Sequence, residues 1–101
     1  MIVTRWQAPV LPSIEQIKMI FEGEGLSPVE EVLPVSVQVK DLRHPFDEVR
    51  MVISGDLLMN ISGNQVLLRA GDRIDLPSNT KHSKSANGSE PCVSVVALRP
   101  F

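Results

Sequence analysis

Beyond residue 34 the chain is cut by Gly, Asn and Pro into short apolar stretches, and this punctuation leaves room for little except short antiparallel strands. Val35, Val37 and Val39 alternate with Ser36, Gln38 and Lys40, the period-two pattern of a half-buried strand. Glu48 to Ser54 and Leu57 to Ile61 read as two more strands. Ser62-Gly63-Asn64-Gln65 turns the chain into Val66 to Arg69, and Gly71-Asp72 turns it again into Arg73 to Leu76. Cys92 to Arg99 makes the last strand. The expectation is an antiparallel barrel or sandwich.

The N-terminal quarter has a different grammar. Ile2 to Trp6 reads as a short strand, and the two prolines of Ala8-Pro-Val-Leu-Pro12 suit a linker. Ser13 has the character of an N-cap, with Gln16 three positions on to complete a capping box. Ile14, Ile17, Ile20 and Phe21 then share one helical face, and Gly23 and Gly25 end the helix. This is the one helix expected, and its apolar face needs a surface to lie on.

A chain of 101 residues is the size of one domain, with the strand-rich part over roughly 35–98 and the first strand and helix within 1–27. Ten basic and twelve acidic residues give a formal charge of −2 without a basic stripe, and four aromatics with no Tyr make no base-stacking platform. Nucleic acid is therefore not an expected partner. No apolar run reaches bilayer-spanning length and the N-terminus lacks a signal-peptide core, so no membrane association and a cytoplasmic location are expected. Cys92 is the only cysteine and sits in an apolar run, where a buried, inert thiol is expected. Met19, Met51 and Met59 fall in apolar periodic stretches and read as core.

The polar residues inside this apolar pattern carry the chemistry. His44, Glu48 and His82 would not be enclosed in a small apolar barrel without a compensating partner, and a divalent metal is the commonest one. Arg50 lies two residues after Glu48 and so faces the same side of the strand.

Over roughly residues 35–98 the chain resembles the cupin superfamily, on two motifs between residues 44 and 82. The family's first motif is His-x-His, three or four residues, Glu, six residues, Gly. Here His44, Glu48 and Gly55 keep its second half, and Leu42 stands at the place of the first His. The second motif is Gly, five residues, Pro-x-Gly, two residues, His, three residues, Asn. Gly71, Pro77 and His82 follow it, Asn79 replaces the middle Gly, and Asn87 comes one residue late. Asn is a tolerable replacement because it also accepts positive φ.

The resemblance implies an all-β fold, a small jelly-roll barrel of two antiparallel sheets with the N-terminal helix outside. It also implies that His44, Glu48 and His82 hold a divalent metal, with Fe, Mn, Ni or Zn all compatible with two imidazoles and a carboxylate. Three protein ligands leave positions for water or substrate. Asp41 or Asp47 would supply a fourth ligand only if the local register shifted. Arg50 has two open roles: pairing with Glu48, or gripping a substrate carboxylate through its two-pronged guanidinium. Read without the resemblance, His82 is a loop histidine, His44 a strand-end surface residue, and Glu48 half of a salt bridge to Arg50 or Arg73.

Two functions follow from this. One is a metal-dependent oxygenase or isomerase acting on a small anionic molecule, with Arg50 binding that substrate. The other is a metal-free binding or sensory module for a sugar or small acid, which the missing first His and an inward-facing Arg50 favour. Small barrels leave edges and apolar faces that a partner subunit often covers, so a homodimer is expected through the helix face, Trp6 and the N-terminal strand.

Overall fold

Nine strands and one helix account for the regular structure of the computed structural model, which describes residues 1–99. In order they are β1 (Ile2–Thr4), α1 (Ile14–Gly23), β2 (Val29–Leu33), β3 (Gln38–Leu42), β4 (Asp47–Ser54), β5 (Asp56–Ile61), β6 (Asn64–Leu68), β7 (Arg73–Leu76), β8 (His82–Asn87) and β9 (Cys92–Arg99). They form two antiparallel sheets, one of order β1-β7-β4-β9-β2 and one of order β3-β8-β5-β6. The expected all-β fold of two antiparallel sheets with one N-terminal helix is the observed one. The two layers are hydrogen-bonded separately rather than closed into one ring.

The alternation of β4 and β9 explains the layering. Val52 and Cys92 point between the sheets, where they join Leu33, Ile74 and Leu76 against Leu57, Met59, Ile61 and Leu68 of the second sheet. Val49, Met51, Val95 and Ala97 point the other way, onto Ile17, Phe21 and Leu26. The five-stranded sheet is thus covered on both faces, by its partner sheet and by the helix. Each fully buried aliphatic or aromatic side chain contributes roughly 1.5–3 kcal/mol, so both clusters hold the sheet. Burial pushes the Cys92 thiol above its ordinary range, in keeping with an inert core residue.

The helix begins as the sequence predicts. The Ser13 hydroxyl accepts from the Gln16 N–H at 3.2 Å while the Gln16 side chain accepts from the Ser13 N–H at 2.8 Å. At its far end Gly25 takes positive φ and Gly23 does not, so only Gly25 uses the freedom that glycine offers. Arg73 donates to both Glu24 oxygens, at 2.6 and 2.7 Å, and lies over the Phe21 ring, tying the helix end to β7. Ile17 and Phe21 of the apolar helix face lie on the chain's own sheet, while Ile20 of the same face is 46% exposed.

Several local expectations differ from the structure. Val35 to Val37 is not strand: the Val37 N–H donates to Pro34 O and Ser36 takes φ 67°, which makes a turn between β2 and β3. Two strands, β2 and β8, fall where none was expected. Met19 is 69% exposed because it points away from the face formed by Ile17 and Phe21. Phe101, counted among the aromatics, lies outside the described residues. Asp72 anchors the N-terminal segment: its carboxylate accepts from the Trp6 and Arg69 N–H groups and from Arg5.

Candidate functional site

Glu48, Arg50 and Val52 alternate on the inward face of β4, so the strand that supplies core at one end supplies charge at the other. Glu48 lies opposite Leu76 and Leu98, and Arg50 opposite Ile74 and Val96. On the facing sheet, β8 places His82 opposite Ile61 and Lys84 opposite Met59. His44 stands in the loop before β4. Two hydrogen bonds hold that loop against the one before β8: Asn79 N–H to His44 O at 2.6 Å, and Ser78 N–H to the Asp47 carboxylate at 2.8 Å. Asn79 takes φ 58° to make the first, as expected from its place in the motif.

These constraints bring His44, Glu48 and His82 together. Their candidate ligand atoms all lie within 4.8 Å of one another, and the two imidazole centroids are 5.5 Å apart. His82 is 3% exposed and Glu48 4%. His82 Nδ1 is 2.8 Å from the Thr80 carbonyl, which can only accept, so Nδ1 carries a proton and Nε2 is the ring nitrogen available to a metal. That Nε2 and Glu48 Oε2 are buried with no hydrogen-bond partner among the described residues. A buried acceptor left unpaired costs about 1–3 kcal/mol, and two of them beside His44 fit a divalent cation. The Thr80 carbonyl is the outer-shell partner that a metal-bound imidazole requires.

The other carboxylates near the motif are committed elsewhere. Asp41 is exposed and 3.6 Å from Lys81, and Asp47 accepts from Ser78. Leu42 is the Cα partner of His82 across the β3–β8 pair, so an alkyl chain occupies the strand position beside that ligand.

Arg50 is 1% exposed and lies on the same inward side as Glu48. It pairs closely with Glu31 of β2, and its Nη2 is 3.6 Å from Glu48. Glu31 also pairs with Lys84. Burial raises the Glu31 carboxyl, but Arg50 and Lys84 outweigh it and hold the group below its usual range. The result is a run of ionisable groups, His44–Glu48–Arg50–Glu31–Lys84, buried at Glu48, Arg50 and Lys84 and half-buried at His44 and Glu31, along one side of a cleft of about 590 Å³. Val29, Val96 and Leu98 supply an apolar wall. A smaller hollow of about 350 Å³ borders His82, but Lys40, Asp41 and Lys81 that line it are exposed and form no such run.

Sequence reasoning missed Glu31 and Lys84. Lys84 carried a usable signal: it follows His82 by two, so any strand there places both on one face. Glu31 sits in a stretch, Val29-Glu-Glu-Val-Leu33, whose alternation is broken on both faces.

Solved structures share this fold. A protein of Thermotoga maritima described as a predicted oxalate decarboxylase superimposes with a TM-score of 0.68 at 19% identity, over 83% of this chain and 74% of that one. The DMSP lyase DddQ of Ruegeria pomeroyi gives 0.67 at 21% identity, over 74% of this chain and 38% of the lyase. A Cupin 2 conserved barrel domain protein of Salinispora arenicola gives 0.67 at 17% identity, over 74% and 63%. The chain thus spans less than two thirds of the length of the latter two. No curated protein matches the sequence significantly. The family model described as the cupin domain matches residues 28–98, which covers both motifs and every residue of the cluster. The chain belongs to the cupin domain family.

Proposed function

We propose that the protein binds one divalent metal through His44, Glu48 and His82 and converts or recognises a small anionic molecule in the adjoining cleft. The observation that carries this reading is the pair of orphaned buried acceptors, His82 Nε2 and Glu48 Oε2, in a cluster where one ligand atom each from His44, Glu48 and His82 lie within 4.8 Å of one another. A bound metal would act as a Lewis acid on a ligand oxygen, with Fe, Mn, Ni and Zn all compatible with the donor set. The chain's own groups do the rest. Thr80 O orients the His82 ring, Arg50 stands beside Glu48 as the anchor for the ligand's negative charge, and Val29, Val96 and Leu98 hold its apolar part. Two proteins of the same fold are named for reactions on small molecules, an oxalate decarboxylase and a DMSP lyase, which supports an oxygenase, isomerase or related small-molecule chemistry without choosing among them.

A second reading has its own observation. Arg50 and Lys84 balance Glu48 and Glu31, so the charges of the cleft are compensated without a metal. Leu42 at the first-His place agrees with a metal-free module that binds a sugar or small acid. Thermal unfolding separates the two. Zn(II) added to EDTA-stripped protein should raise Tm, since a ligand at a hundred times its Kd stabilises by about 2.7 kcal/mol, and Glu48→Gln should remove the rise. A flat response to Zn(II), Mn(II), Ni(II) and Fe(II) in the wild type favours the metal-free module.

A further inference from the structure

Two cations in the cleft share one carboxylate. Arg50 and Lys84 come from opposite sheets, and both reach Glu31. Their side chains are 2% and 10% exposed, so both charges are largely stripped of water, whereas the Glu31 side chain is 28% exposed. Glu31 also stands on β2, an edge strand that among the described residues pairs with β9 alone and whose Val29 and Val32 are exposed. Of the three groups Glu31 is the one whose side chain borders solvent, although its Oε2 is buried where it stands. Arg50 and Lys84, enclosed between the sheets, have no comparable exposure. Arg50 Nε is in addition buried with no hydrogen-bond partner among the described residues, which leaves the guanidinium a donor to spare.

We propose that Arg50 and Lys84 form a carboxylate subsite, and that Glu31 fills it in the resting protein as an internal stand-in that a small organic carboxylate displaces. This deepens the metal-site reading and rests on it for the rest of the ligand. A carboxylate at Arg50 lies beside Glu48, whose Oε1 is 3.6 Å from Arg50 Nη2, so the ligand's remaining atoms face the His44–Glu48–His82 cluster. A planar guanidinium matches a carboxylate in two-point fashion. A neutral sugar offers nothing that replaces the charge of Glu31. The apolar wall of Val29, Val96 and Leu98 suits a carboxylate with a short carbon skeleton. Because Glu31 competes within the same chain, at an effective concentration of order millimolar or above, simple monocarboxylates bind the wild type weakly. A ligand gains affinity only through groups that reach further along the cleft.

The test uses acetate as the probe, on EDTA-treated full-length protein, with sodium chloride at the same ionic strength as control. Acetate should raise the Tm of Glu31→Ala well above the chloride control, raise that of Glu31→Gln less, and leave the wild type nearly unmoved. Adding Lys84→Met to Glu31→Ala should remove the acetate response. If Glu31→Ala does not fold, the comparison of Glu31→Gln with wild type, with acetate binding followed by saturation-transfer NMR, carries the test. Equal effects of acetate and chloride on both single variants would overturn the proposal, as would an acetate response that survives Lys84→Met. No metal is present in this experiment, so its failure strikes the subsite alone. Failure of metal uptake strikes the cluster alone.

Discussion

In the EDTA-treated, metal-free protein, removing the Arg50 guanidinium leaves Glu48, 4% exposed, with no other cation within ion-pair distance among the described residues except His44 when protonated. Glu31 keeps Lys84. Breaking one partner out of a buried pair costs about 3–5 kcal/mol, because the remaining charge stays desolvated. Arg50→Ala should therefore lower the urea-unfolding free energy by about that amount, while Arg50→Lys, which restores a charge without the planar fork, should lose less. The prediction fails if Arg50→Ala unfolds at the wild-type urea midpoint. At this scale the sequence was informative about identity and less so about partnership. The spacing of Glu48 and Arg50 placed them on one face, where the structure has them. Glu31, the carboxylate that Arg50 meets most closely, lies across a sheet whose strand order no local pattern encodes.

Elements whose inward positions are apolar were legible with their bounds. Arg73–Leu76 and Cys92–Arg99 fall where alternation and apolar run place them. β8 was not legible because its inward positions are His82, Lys84 and Ala86, a run without an apolar signal. Those are the positions that furnish the site, so the chemistry erased the periodicity that would have revealed the strand. Pro34 to Val37 misled in the opposite sense, as a turn whose valines mimic alternation. Turn glycines give a prediction at the same scale. Gly55 takes φ 74°, and a Cβ there would meet Pro91 O at 2.3 Å, backbone that has no easy way to yield. Gly63 takes φ 88° with nothing within 4 Å of its would-be Cβ. Gly63→Ala should cost about 1–2 kcal/mol, the left-handed penalty alone. Gly55→Ala should cost clearly more, and equal urea midpoints for the two variants would contradict that ordering.

For the molecule as a whole, pH is the most direct lever on stability. Glu24, Glu31 and Asp72 all have carboxyl pKa values below their ordinary ones. Hydrogen bonds from Arg73 do this for Glu24. For Glu31 and Asp72 burial acts the other way and is outweighed, by Arg50 and Lys84 in one case and by the Arg69 and Trp6 N–H groups and Arg5 in the other. Groups depressed in the folded state contribute stability that is fully present above their unfolded pKa, near 4, and is lost as pH falls through the folded pKa. Urea midpoints should hold steady between roughly pH 6 and 5 and fall below roughly pH 4. Asp72→Asn should be less stable than wild type at neutral pH and show a shallower acid limb. A wild type more stable at pH 3 than at pH 6 (roughly one unit either side of the carboxylate range) would have the opposite sign to this linkage.

The central claim is that His44, Glu48 and His82 hold a metal. Elemental mass spectrometry of untagged protein, beside a folded His82→Ala variant, measures it most directly. The account predicts near one divalent metal per wild-type chain and its loss in the variant, and the element found would narrow the chemistry. No metal in either protein, even after reloading with Fe(II), Mn(II), Ni(II) and Zn(II), would contradict it and leave the charge-balanced cleft around Arg50 as a binding site without metal.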